Sequence, residues 1–301
     1  MAETETPMSM SKPMPITEFM KLFPDDDACL EHLFKERFGA DYECTRCGDA
    51  GKFKKLSKMP AYTCACGNHV HPMMGTPFKK SHVPLQKWFY AMYLFTTTRH
   101  GVPAKELQRQ LSVNYKTAWR MGHEIRKYLG LVDGDRPLSG HVEIDETMVG
   151  GRRPGKRGRG AAAHKVTVLG MVERGGSVMT RVVPDVKGTS LIPHIIANVE
   201  KSATVSTDEL WAYTTLPLHG YDHGSVNHSK KQWAKGKHHT NSIEGFWSLI
   251  KRSIKGTHVH ISKEHAAKYL SEFEFRWNLR HDPAKMFPLL LRRLATSPKA
   301  A

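Results

Sequence analysis

Three acids stand in three separate segments of the chain, in settings unlike those of a solvated surface charge. Asp145 sits among apolar neighbours in VEIDETMV, Asp208 closes TVSTDE, and Glu244 lies near the start of NSIEGFWSLIKR. A charged group inside an apolar strand is costly unless it is paired or metal-bound. Two adjacent strands would bring Asp145 and Asp208 together, and a helix packed on that sheet would add Glu244. Such a cluster would bind two divalent cations per site, and oxygen ligands select Mg²⁺ or Mn²⁺ over Zn²⁺. A pair of these ions serves phosphoryl transfer, activating the attacking oxygen and stabilising the leaving one. Lys251 follows Glu244 by seven residues, two helical turns, so the two share a face close to Asn241 and Ser248. There Lys251 would hold a phosphate, with Arg252 a further contact to nucleic acid. Strand alternation puts Glu143 on the face of Asp145, as a supporting group or a substitute, and sends Glu146 to the opposite face.

The cysteines suggest a second metal. Cys44 and Cys47 form a CxxC knuckle followed by Gly48, and Cys64 and Cys66 form a tighter CxC followed by Gly67, sixteen residues on. Four thiolates enclose one structural Zn²⁺ tetrahedrally and leave no open position for catalysis. His69 or His71 could replace one sulfur of the tighter pair. In so small a ribbon the metal would supply much of the folding energy. Cys29 stands alone beside the apolar face of a helix and reads as a small buried residue.

Basic and polar residues then offer a nucleic-acid surface. PAKELQRQL, a turn at Ser112-Val113-Asn114 and YKTAWRMGHEIRK read as a helix-turn-helix. Leu107 and Leu111 stripe its first helix, Pro103 suits that helix's first turn, and Asn114 caps the second. Ala118, Trp119 and Ile125 are expected inward. Asn114, Tyr115, Lys116 and Arg120 are expected outward, where a second helix enters a major groove. After the first acidic strand, GGRRPGKRGRGAAAHK carries Arg152, Arg153, Lys156, Arg157 and Arg159 in a glycine-rich loop suited to clamping a DNA backbone. His223 and His228, just after Asp208, read as neutral surface histidines.

The elements that must position these groups follow from the pattern. Residues 1–15 read as a flexible tail and 16–40 as a helical segment, in which Asp25–Asp27 mark a helix start and Gly39 its end. Residues 41–83 are the ribbon, 84–130 the helix-turn-helix domain with PLQKWFYAMYLFTTTRHG as a buried first helix, and 131–140 a linker. From 141 to 281 strands and helices alternate. They include a hairpin turning at Gly175-Gly176, a helix over SLIPHIIANVE, and helices over SIEGFWSLIKRSIK and KEHAAKYLSEFEFRWNLR. Residues 282–301 form a terminal helix or tail.

Composition agrees with a polyanionic partner. The 301 residues carry 45 Lys and Arg against 29 Asp and Glu, a net charge of +16. An excess of this size points to nucleic acid or an anionic membrane. No apolar run reaches the ~18–20 residues that span a bilayer, and no basic amphipathic anchor stands out. The N-terminus lacks the apolar stretch of a signal peptide, so a cytoplasmic protein is expected.

Taken in order, the zinc pairs, HPMMGTPF, PLQKWF, VEIDET, TDELWAY and HHTNSIEGFWSLIKR resemble the ISXO-like group of bacterial insertion-sequence transposases, from about residue 20 to about residue 281. The resemblance implies an α/β fold: an RNase H-like catalytic domain with an Asp-Asp-Glu metal site, behind a zinc ribbon and a helix-turn-helix. Its acids match Asp145, Asp208 and Glu244, and Lys251 matches the basic position after the third acid. Some relatives carry another third residue, commonly Asn. The CxC pair departs from the commoner CxxC. The implied reaction is cleavage of double-stranded DNA at the terminal inverted repeats, followed by attack of the freed 3′-hydroxyl on target DNA. Two inverted repeats call for a homodimer or larger assembly on DNA, in a bacterial, nucleoid-associated setting.

Two other readings share parts of this pattern. A DNA-binding regulator would use the ribbon and helix-turn-helix and have no need of three acids in three elements. A nuclease that cuts without joining would share the metal site.

Overall fold

The computed structural model describes residues 12–132, 136–150 and 165–296. It divides into two compact units, residues 1–98, 104–132 and 282–301 in one and residues 99–103 and 133–281 in the other.

The first unit is helical around a small three-stranded sheet. Helices α1 (Ile16–Leu22) and α2 (Asp26–Phe38) come first. Asp25 caps α2 by accepting from the Ala28 amide at 2.8 Å, and Gly39 at φ 81° ends it, as the acidic start and the glycine predict. Cys29 is fully buried on α2, and burial pushes its thiol pKa far up. Strands β1 (Lys54–Lys55), β2 (Tyr62–Thr63) and β3 (His69–Val70) pair antiparallel in that order. Helix α3 (Leu85–Thr97) buries Trp88, Phe89, Met92 and Phe95. Helices α4 (Ala104–Leu111) and α5 (Tyr115–Leu129) pack together, with Leu107, Leu111, Ala118, Met121 and Ile125 inside. Asn114 caps α5 through its side chain, 2.8 Å from the Thr117 amide.

Trp119 departs from its expected inward place. It is 37% exposed and its ring lies 3.9 Å from that of His123. His123 and Arg126, four and seven positions on and on the same side of α5, are buried, so Trp119 owes its exposure to its place near the start of the helix, beside the exposed Tyr115, Lys116 and Arg120.

The second unit is a five-stranded mixed sheet with helices on both faces. Strands β4 (His141–Val149), β5 (Val166–Glu173) and β6 (Val178–Val183) form an antiparallel meander. Strands β7 (Thr204–Thr207) and β8 (Asp222–Ser225) add parallel to β4, giving the order β6-β5-β4-β7-β8. Gly175, at φ 73°, turns the β5–β6 hairpin as expected. Alternation along β4 sorts its side chains between two cores. Val142 and Ile144 pack with Leu191, Ile195 and Tyr213, from helix α6 (Gly188–Asn198) and the 3₁₀ turn Trp211–His219. Val149 packs on the other face with Phe246, Trp247 and Phe273, from α7 (Asn241–Ser253) and α8 (Ala266–Asn278). Strand β8 and the 3₁₀ turn have no counterpart in the sequence reading.

The terminal segment 282–301 contributes α9 (Met286–Thr296), which packs within the first unit on α2, α3 and α5. Phe287 sits among the rings of Phe19, Phe23 and Tyr93.

Candidate active site

The register of two parallel strands brings the first two acids together. Strand β7 pairs with β4 only over His141–Glu143, ending with Glu143 opposite Ser206. Asp145 and Asp208 each lie two residues beyond that pair, where β7 has stopped and the edge of β4 is uncovered. One carboxylate oxygen each of Asp145, Glu146 and Asp208 lies within 4.8 Å of the others.

Glu146 belongs to this group although alternation sends it to the other face. The alternation itself holds: Asp145 accepts from the Trp247 indole N–H at 3.0 Å on the α7 side, and Glu146 accepts from the Tyr213 hydroxyl at 2.6 Å on the opposite side. With no strand beside them on the β7 side among the described residues, both side chains turn to the same open edge. Face assignment alone therefore misses Glu146, and only the length of the neighbouring strand reveals it.

Crowding of like charge in a half-buried setting leaves its mark. Burial, then the Glu146 and Asp208 carboxylates, push Asp145 up to about 7. Burial also raises Glu146 and Asp208, and it raises the Tyr213 hydroxyl well above its usual range. Three oxygen donors that repel one another suit a hard divalent cation, whose charge would relieve the repulsion.

Glu244 is not in this group. On the first turn of α7 it accepts from the Thr240 hydroxyl at 2.8 Å and lies 3.7 Å from His228 Nε2, with its side chain 47% exposed. His228 also lies near enough to Asp208 to oppose the rise that burial gives its carboxyl, so this histidine stands near both acids. Glu209 fixes its backbone by accepting from the His228 and Ser229 amides at 2.8 and 3.1 Å. His223 is half-buried and bonded to Thr207 Oγ1 at 2.9 Å, and burial lowers its pKa.

Glu143 is fully buried on the Asp145 face and serves α7. It accepts from the Ser242 and Ile243 amides at 2.6 and 3.1 Å and pairs with Arg174 at 2.6 Å. A carboxylate at exposed helix N–H groups is favoured by the helix dipole. Lys251 is exposed near the end of α7, beside a pocket of about 240 Å³ lined also by Met148, Gly150 and Lys255. Arg252 is exposed and donates to the Ser248 carbonyl at 3.3 Å. The candidate contacts Arg152, Arg153, Lys156, Arg157 and Arg159 lie outside the described residues.

In the first unit, one sulfur each from Cys44, Cys47, Cys64 and Cys66 lies within 4.8 Å of the rest. The Cys44–Cys66 and Cys47–Cys64 sulfurs are 3.6 Å apart. Four sulfurs at ~2.3 Å from a tetrahedral zinc would be roughly 3.8 Å apart, so the donor set fits that ion. Gly48 and Gly67, both at positive φ, turn the chain after each pair, their amides bonded to the Cys44 and Cys64 carbonyls at 2.8 and 2.9 Å. His69 and His71 lie outside the group, and the four thiols suffice without them. On α5, Tyr115, Lys116 and Arg120 are exposed, as is the capping Asn114.

Residues 137–278 match the ISXO2-like transposase domain. The chain is 31% identical over 243 residues, 74% of its own length and 80% of the relative's, to a protein of the transposable element ISH50 of Halobacterium salinarum. It is 36% identical over 101 residues, 34% of this chain and 80% of the other, to a transposase-like protein of Haemophilus influenzae. No solved structure matches. The chain belongs to the ISXO2-like family of insertion-sequence transposases, with a DDE-type domain and a four-cysteine cluster compatible with zinc. Among the described residues, no helix is long and apolar enough to cross a membrane.

Proposed function

We propose that the protein binds the terminal inverted repeats of its element, cuts their 3′ ends and joins them to target DNA. The meeting of Asp145, on the uncovered stretch of β4, with Asp208, just past the end of the parallel strand β7, carries this reading. A mixed five-stranded sheet with helices on both faces supports an RNase H-like catalytic domain over 141–281. The capped, basic α5 following α4 supports a helix-turn-helix within 84–130, with Asn114, Tyr115, Lys116 and Arg120 toward DNA. Residues 41–83 form the zinc ribbon, 131–140 a linker and 282–301 a terminal helical segment. The expected location is the cytoplasm of a bacterium, on nucleoid DNA.

Asp145, Asp208 and Glu244 are the ligands in this reading, with Glu146 an additional carboxylate at the same edge. Two Mg²⁺ or Mn²⁺ ions, when bound there, supply charge neutralisation and Lewis acidity to phosphoryl transfer. Trp247 fixes the orientation of Asp145, and Tyr213 that of Glu146. Glu143 holds the start of α7 against the sheet and so fixes the helical turn that carries Glu244. Lys251 and Arg252 engage phosphates. The symmetry of inverted repeats calls for at least a dimer on DNA.

The test uses labelled element-end DNA with Mg²⁺ or Mn²⁺, comparing wild type with Asp208→Ala. Metal-dependent 3′ cutting and joining, both abolished by the substitution, are expected. Binding without cutting in either protein would overturn the catalytic reading, and cutting without joining would leave a nuclease.

A further inference from the structure

The segment from Asn227 to Thr240 reads NHSKKQWAKGKHHT and places an aromatic residue among lysines. Trp233 is 61% exposed, with its ring centroid 5.0 Å from that of His228. Lys230, Lys231 and Lys235 are exposed and form no ion pair among the described residues, whereas Lys237 pairs with Asp222 at 2.6 Å. A large indole left in water beside unpaired cations forgoes a burial that would otherwise be favourable.

Both ends of the segment are clamped to neighbours of the acidic group. At its start Glu209, next to Asp208, accepts from the His228 and Ser229 amides. Toward its end Arg174, paired with Glu143, donates to the Lys237 and His239 carbonyls at 2.8 and 3.0 Å. Between the clamps Lys235 and His238 exchange backbone hydrogen bonds at 2.9 and 3.0 Å around Gly236. The exposed indole is thus carried on a held turn, and it leans on the histidine that neighbours Glu244 and Asp208.

We infer that Trp233 is a stacking platform for an unpaired DNA base beside the cut, with Lys230, Lys231 and Lys235 on the adjoining phosphates. An indole face accepts any base, and lysines without acid partners bind phosphate by releasing counterions. The inference rests on the acidic group being the site of DNA chemistry.

The test is a fluorescence-anisotropy titration of the zinc-loaded protein without added Mg²⁺ or Mn²⁺, so that cleavage does not enter. One probe is a blunt element-end duplex, and the other is the same duplex with a short unpaired extension at the cut position. Wild type is expected to bind the extended probe roughly tenfold tighter, as one base stacked on an aromatic side chain would give. Trp233→Ala should lose that preference, and Trp233→Phe should keep most of it. The indole is exposed, so the melting temperature of both variants should stay near that of wild type. Wild type with no preference, or Trp233→Ala retaining it, would overturn the inference while leaving cutting and joining intact. Wild type that neither binds nor cuts element ends would overturn the transposase reading, and this inference with it.

Discussion

Trp247 reaches Asp145 across the face of the sheet, its indole N–H 3.0 Å from the carboxylate, and the space it crosses is the missing side chain of Gly170. Gly170 is the direct partner of Asp145 in the β4–β5 register. A Cβ there would fall well inside contact distance of Trp247 and Ile243. Gly170→Ala is therefore expected to destabilise the protein by about 1–3 kcal/mol, through overpacking. Urea denaturation measures it. Trp247→Phe should restore that stability in the double variant if the indole ring is what clashes.

Asp145 links stability to pH. Its carboxyl is raised to about 7, chiefly by burial and then by Glu146 and Asp208, against 3.8 as the ordinary value. Between these values the folded protein holds a proton that the unfolded chain has released. Stability contributed by this group is therefore present at low pH and is lost as pH rises through about 7. With no Mg²⁺ or Mn²⁺ at the site, Asp145→Asn should flatten that decline and be the more stable protein at pH 8. Thermal melts of the zinc-loaded protein from pH 5 to 8, without added Mg²⁺ or Mn²⁺, read both. Equal slopes for variant and wild type would refute the assignment.

The buried Glu143–Arg174 pair predicts a large effect outside the acidic group. Glu143→Ala would leave Arg174 Nε and two α7 amides without their acceptor, while the rest of the guanidinium keeps the Lys237 and His239 carbonyls. Breaking a buried pair from one side costs about 3–5 kcal/mol. Chemical denaturation gives the total. Amide exchange at Ser242 and Ile243 should accelerate more than at the middle of β5, as expected for a loosened helix start.

Removal of zinc should act on the first unit. Purified protein is expected to carry one zinc ion per chain, and Cys44→Ser with Cys64→Ser none, by elemental analysis. Chelation should expose the ribbon to protease between Cys47 and Cys64 before the sheet of the second unit is cut. Full zinc occupancy in the double variant would rule out this ligand set.

Much of the site was legible because its signals are local. Asp25 and Asn114 cap helices as their types predict, the two cysteine pairs meet, and Asp145 on β4 meets Asp208 just past the end of β7. The misses are non-local. Glu146 joins the acids because β7 ends at Thr207, and no pattern within VEIDETMV encodes the length of another strand. Trp119 lies on the buried side of α5 but near its start, where cover from other elements and not periodicity decides burial. Strand β8, reading Asp-His-Gly-Ser, lacks the branched and aromatic residues that mark strands and owes its place to pairing with β7. His228 carries no motif and Glu209 drew no role from its place in TDELWAY, and the turn that brings the histidine to the acids is tied back across the sequence by Glu209.

The last helix has a consequence for synthesis. Leu290, Leu291 and Leu294 of α9 complete a core begun by α2 and α3, some two hundred and more residues earlier. As the ribosome releases the chain, the sheet and its acids are available to fold while the first unit still lacks its final wall. A message cut short after residue 281 would yield a nearly whole sheet unit attached to an open helical one. Its exposed apolar surface would mark it for proteolysis, so α9 acts as a check on the unit that α2 and α3 begin.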